Sequence, residues 1–215
     1  MTSLIVSRRG FALSALAGAA LLAGVRGAQG RQALPPLAGT AESPMGPFYP
    51  VSHLAEADAD LVWLKGHKQR ALGEVIEVSG RVLDRHGKPM SNATLEIWQA
   101  NAAGRYAHPN DISKAPLDPD FQGFANLHTD KDGAWRITTI KPAAYDSPIG
   151  LRTPHIHFDV RGASHRLNAQ MYFPEEGALN VKDQLYKGLG GEAGTSVAAA
   201  AGAGKYRWDI VLMDG

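Results

Sequence analysis

From Tyr206 to Leu212 apolar side chains fall at every second position, Tyr206, Trp208, Ile210 and Leu212, while Arg207 and Asp209 take the places between. A period of two is the mark of an extended strand with one buried face, because successive side chains leave a strand on opposite sides. Short apolar runs recur upstream, at Val75, Val78 to Leu83, Thr94 to Ala100, Trp135 to Ile140, His155 to Val160 and Ala169 to Phe173. Asp- and Gly-rich stretches separate several of them, notably Asp84-Arg85-His86-Gly87-Lys88-Pro89 and Asp130-Lys131-Asp132-Gly133, and supply the residues that tight reversals need. The pattern predicts an all-β fold, an antiparallel β-sandwich whose long loops carry the candidate site.

Two stretches do not read as strands. Asn101 to Gln122 contains Gly104, Pro109, Pro116 and Pro119 and is predicted to be a long loop. Loops of more than about 15 residues in a compact domain are usually functional or disordered, and the contents of this one favour function. Gly188 to Gly204 is rich in Gly and Ala and reads as a flexible surface loop with one helical turn over Val197 to Ala201. No internal repeat is present, so the chain divides into residues 1–30, a Pro-rich lead over 31–41 and one domain over 42–215.

Residues 1–30 read as an address. Arg8 and Arg9 precede an uncharged apolar run from Phe11 to Val25, which matches a twin-arginine export signal and predicts a periplasmic or secreted protein. The run is shorter than the roughly 20 residues of a spanning helix, so no membrane span is expected after cleavage near Gly30. The formal charge of the 215-residue chain is +1, and removing the three arginines of this segment takes it to −2. Without a basic field to release counterions from a phosphate backbone, nucleic acid is not an expected partner. There is no cysteine, which excludes disulfides, zinc fingers, iron–sulfur clusters and a thiol nucleophile. Any metal must then be held by His, carboxylate or tyrosinate.

The sharpest local signal is His155-Ile156-His157-Phe158. In a strand the two histidines share one face while Ile156 and Phe158 point to the core. Taken alone, such a pair fits a metal clamp and two surface imidazoles equally well. Cupins add a Glu a few residues later, where this chain has Asp159, Val160 and Arg161, and a blue-copper site needs Cys. Tyr106, at the start of the long loop, and Tyr145, after a strand end, are each most simply packing residues. Two phenolates with two imidazoles would form a hard, anionic site suited to Fe(III), but periodicity does not bring the tyrosines to the histidines. Neither G-x-S-x-G nor H-E-x-x-H occurs, so the usual parts of a hydrolase are missing.

Several longer stretches carry a resemblance. They are Gly80-Arg81-Val82-Leu83-Asp84, the run from Ala93 through Trp98-Gln99-Ala100-Asn101-Ala102-Ala103-Gly104-Arg105-Tyr106, and Asp118 to Gly123. Thr139 to Pro142, Arg152-Thr153-Pro154-His155-Ile156-His157-Phe158, Gln170 to Pro174 and Trp208 to Leu212 complete the set. Over about residues 42 to 213 the chain resembles the intradiol ring-cleavage dioxygenases, in particular the ligand-bearing beta-like chain of the protocatechuate 3,4-dioxygenase type.

That resemblance implies a mononuclear non-haem Fe(3+) cofactor held by Tyr106, Tyr145, His155 and His157. It implies O2-dependent opening of a catechol between its two hydroxylated carbons to a cis,cis-muconate, with Tyr145 as a base, Arg152 beside the substrate ring and Gln170 supporting the pocket. Ferric tyrosinate would make the protein red to burgundy. The segment Asp146 to Pro154 looks shorter than in protocatechuate enzymes and lacks the tryptophan expected soon after Tyr145, which leaves the ring substituent open. Catechol and hydroxyquinol enzymes carry a helical N-terminal region that the first 40 residues do not resemble. The expected partners are a small catechol, O2, and either further copies of this chain or a related second subunit. A β-sandwich binding module that kept the scaffold without the activity is the competing class.

Overall fold

The computed structural model describes residues 35–51 and 56–214. The predicted export signal lies outside them, and among the described residues no helix is long and apolar enough to cross a membrane. Among the described residues eleven strands follow in order: β1 (Val75–Leu83), β2 (Thr94–Trp98), β3 (Phe124–His128), β4 (Ala134–Ile140), β5 (Tyr145–Ser147) and β6 (Gly150–Arg152), then β7 (His155–Arg161), β8 (Arg166–Tyr172), β9 (Ala199–Gly202), β10 (Lys205–Arg207) and β11 (Ile210–Val211). Between β8 and β9 lie two short helices, α1 (Gly177–Asn180) and α2 (Gln184–Gly188).

The all-β reading holds. One sheet centres on β1, which pairs antiparallel with β4 and, along its other edge, with β10 and β11. The second runs β3-β2-β7-β8, antiparallel throughout. Their inner faces share one core. Ile76, Val78 and Val82 from β1 and Trp135 and Ile137 from β4 meet Leu95 and Ile97 from β2, Ile156, Phe158 and Val160 from β7, and Met171 from β8. Burying these apolar faces is the main favourable term in the fold, at about 25 cal/mol per Å².

The C-terminal segment departs from expectation. Tyr206, Trp208, Ile210 and Leu212 do face the core, but the predicted single strand is two, and both run parallel to β1. Tyr206 pairs with Val78 and Ile210 with Val82, so the register carries across the gap. At the gap Arg81 N–H donates to the Asp209 carboxylate at 2.9 Å in place of a backbone carbonyl. Gly80 stands opposite, where a Cβ would come within 1.8 Å of the Trp208 carbonyl oxygen. The sandwich is therefore mixed along this edge of β1.

The Gly- and Ala-rich stretch 188–204 also differs. It holds a 3-10 turn over Gly190–Ser196, and β9 replaces the helical turn predicted at Val197 to Ala201. The free edge of β10 offers a backbone ladder, and Gly202 and Gly204, at φ 130° and 63°, close the hairpin. Strand β3 had no clear signal, since Ala125 is its only fully buried residue.

Candidate metal centre and active site

The outer face of the second sheet carries the site. In β7, Ile156 and Phe158 point inward, which turns His155 and His157 outward, yet both are buried at 2% and 3% exposure. Loops cover them. Trp98, the β2 partner of His157, lies against its imidazole. Phe48 stacks on Tyr106 at 4.5 Å, and Pro44 O accepts from Gln170 Nε2 at 3.2 Å, so residues 44–48 form one wall.

The long loop from Asn101 exists as predicted, and it is braced. The Asn101 carboxamide oxygen accepts from Ala103 N and Arg105 N at 2.9 and 3.0 Å, and its Nδ2 donates to Pro116 O at 2.9 Å. Asp111 Oδ2 takes the Tyr106 N–H at 2.7 Å. These bonds fix the backbone that aims the phenol inward, so that Tyr106 OH lies 3.1 Å from His157 Nε2.

Tyr145 reaches the same place by another route. The short segment 145–152 folds as a hairpin, β5 against β6, in which Tyr145 pairs with Arg152. Its ring centroid is 5.5 Å from that of Tyr106 and 5.7 Å from that of His155. The circuit closes through the two histidines, whose centroids are 4.8 Å apart and whose Nε2 atoms are 3.2 Å apart. All four residues singled out in the sequence are thus neighbours.

Arg152 and Gln170 adjoin them. Arg152 Nη2 donates to Gln170 Oε1 at 2.5 Å, and Arg152 Nε donates to Asp183 Oδ2 at 2.9 Å. Tyr172 OH donates to the same Gln170 oxygen at 2.9 Å. Asp183, Asn101, Asp111 and Thr153 were not singled out as functional residues from sequence; Asn101 and Thr153 lie in stretches that carry the resemblance, but short polar residues before turns and helices are common, and nothing local marks Asp111 or Asp183.

The electrostatics favour lone pairs directed at a common point. His155 Nδ1 is 2.5 Å from Thr153 O, so the neutral ring carries its proton there and leaves Nε2 bare. Burial, then the Arg152 charge, pushes the His155 pKa down to about 3, and burial with the neighbouring His155 and Arg152 drives His157 well below its ordinary value. Neutral imidazole is the metal-binding form. Burial, then the nearby Tyr145, holds the Tyr106 hydroxyl well above the usual phenol range, and burial raises Tyr145 too. A bound cation reverses that preference and favours phenolate. Two neutral imidazoles, with the Nε2 of His155 bare, and two phenols thus fit a hard cation. Among the described residues no group of three or more His, Asp or Glu side chains gathers to hold one, so a metal here draws on tyrosine.

A family model described as Dioxygenase matches residues 45–214. The chain is 45% identical over 147 residues to the protocatechuate 3,4-dioxygenase beta chain of Burkholderia cepacia, covering 66% of this chain and 62% of that one. The chain belongs to the intradiol ring-cleavage dioxygenases. It is also 32% identical over 125 residues to the protocatechuate 3,4-dioxygenase alpha chain of Pseudomonas putida, covering 56% of this chain and 60% of that one. It therefore spans about three fifths of the length of each of these two relatives. Among solved structures, the dioxygenase domain of a carbohydrate-binding fusion protein from Streptomyces sp. SirexAA-E superposes with a TM-score of 0.62 at 26% identity, covering 83% of this chain and all of that one.

Proposed function

We propose that this chain opens the ring of a catechol by intradiol cleavage with O2 at a non-haem Fe(III) centre, with protocatechuate as the leading substrate. The observation that carries the reading is the pair of imidazole nitrogens 3.2 Å apart, one of them 3.1 Å from the Tyr106 hydroxyl, with Tyr145 closing the ring of side chains. Tyr106, Tyr145, His155 and His157 would hold the iron, a hard N2O2 set of the kind that favours Fe(III) over softer ions. When bound, ferric iron supplies Lewis-acid activation of the deprotonated catechol toward O2.

The protein residues do the rest. Tyr145 takes a phenolic proton from the incoming catechol at its own oxygen, as a base beside the substrate. Arg152 keeps a fixed positive charge next to the ring, where negative charge develops on carbon, and Gln170 holds the arginine. The walls formed by Phe48 and Trp98 exclude bulk water. The identity to a protocatechuate 3,4-dioxygenase beta chain supports the substrate and supports a multi-subunit assembly with a related chain. Residues 1–30 would direct the protein out of the cytoplasm as a folded unit, which fractionation of expressing cells tests directly.

The deciding experiment is a visible spectrum of iron-loaded protein in air, with and without protocatechuate. A ferric tyrosinate band that shifts on addition, followed by loss of the aromatic absorbance, is the expected result. A colourless protein with stoichiometric zinc or no metal overturns the reading.

A further inference from the structure

We propose that Asp183 is a positioning residue for Arg152: its buried carboxylate sets the plane of the guanidinium so that one nitrogen is left free for the substrate. The inference rests on the dioxygenase reading above and deepens it.

Asp183 is fully buried and saturated. Its Oδ2 accepts from Arg152 Nε at 2.9 Å and from Thr153 N at 3.0 Å, while its Oδ1 caps α2 by accepting from Leu185 N at 2.8 Å and Tyr186 N at 3.3 Å. Arg152 is then held on two different nitrogens, Nε by Asp183 and Nη2 by Gln170. Two anchors stop the guanidinium turning about its own stem, which either one alone would permit. Among the described residues Nη1 has no hydrogen-bond partner. Both bonds are charge-assisted by the guanidinium, but of the two anchors only Asp183 is charged, so it alone adds an ion pair.

The same carboxylate grips the backbone that supports a histidine. Thr153 N is bound to Asp183, and Thr153 O receives His155 Nδ1. Thr153 Oγ1 bonds to Asn180 of α1 at 2.8 Å, so the helical segment after β8 clasps residues 152 and 153 from one side. Asp183 lies 31 residues from Arg152 in sequence, and among the described residues it makes no hydrogen bond to the four rings, so on the substrate side it acts through Arg152, while its hold on Thr153 is read by the iron content.

The test compares Asp183→Asn, Arg152→Ala and the double variant, each iron-loaded, for kcat and KM on protocatechuate, iron content and thermal midpoint. An amide at 183 still caps α2 but turns an N–H2 group toward donors. With iron content kept, kcat is expected to fall by at least about tenfold, as misplacement of a catalytic group costs. In the Arg152→Ala background the same change should alter kcat by less than about twofold, because residues acting as one unit are not additive. The double variant should also melt above Arg152→Ala alone, since it no longer buries a carboxylate stripped of its arginine. Asp183→Ser, which keeps a helix cap, carries the same comparison if the Asn variant does not fold. Wild-type kcat in Asp183→Asn, or an undiminished loss on top of Arg152→Ala, overturns the positioning role alone. A colourless, inactive wild-type protein overturns the dioxygenase reading and this role with it.

Discussion

Trp98 lies flat on His157, with 4.9 Å between ring centroids and 9° between planes. The two are cross-strand partners on the outer face of the second sheet, so the same pairing that builds the sheet also sets the plane of an imidazole. At 1% exposure Trp98 contributes both packing and orientation.

Replacing Trp98 by Ala should therefore cost about 3–5 kcal/mol of stability, the usual range for a buried Trp. Urea unfolding reads the loss. Iron should also dissociate more readily from the variant, as timed with a chelator; an unaltered release rate would mean the imidazole keeps its plane without the indole.

Gly104 stands under Tyr145. It has φ 75°, and a Cβ there would come within 2.7 Å of Ala144 O and 3.2 Å of Tyr145 Cβ. Gly104→Ala is expected to displace Tyr145 and weaken the ferric tyrosinate band at a stability cost of about 1 kcal/mol or more for the left-handed backbone alone. An unchanged visible spectrum in the folded variant would contradict this.

Tyr106→Phe removes one phenol without removing the ring that stacks on Phe48. The fold should survive with little change in thermal midpoint, because the deleted hydroxyl bonds only within the site. Colour and turnover should both drop, the first read by absorbance and the second by oxygen uptake, and a variant with wild-type colour would remove Tyr106 from the ligand set.

Acid stability should depend on Asp159, a residue remote from substrate. Burial raises its pKa, but hydrogen bonds from Arg166 and Arg161 outweigh that and hold the group below its ordinary value. A carboxylate with a lowered folded pKa stabilises fully above its unfolded value of about 3.9 and loses that contribution as pH falls through the folded value. The urea midpoint of wild type should thus fall more steeply than that of Asp159→Asn as the pH drops below about 4. Parallel curves would mean the ion pairs with the exposed arginines are fully screened.

What could be read from sequence follows the range of the interaction. The alternation in β1, β7 and the C-terminal segment is local, so the inward face of each is legible: Ile156 and Phe158 in, His155 and His157 out. That Tyr106 and Tyr145 meet those histidines is not local. It depends on Asn101 and Asp111 bracing one loop and on the β5–β6 hairpin turning the other, and neither device has a distinctive spacing. Resemblance to a family supplied the tyrosines where periodicity did not. It supplied neither the parallel pairing of β10 and β11, because alternation specifies a face and not a direction, nor Asp183.

That parallel pairing has a consequence for how the chain must assemble. One whole edge of β1 is completed only by residues 205–211, so the strand waits with unpaired amides on that side until this distant segment has been made and has reached it. Closure over so long a stretch of chain is slow, and a chain stopped short of Lys205 would present a bare, apolar-backed sheet edge to its neighbours. The docking of residues 205–211, rather than any earlier pairing, is the step that closes this edge.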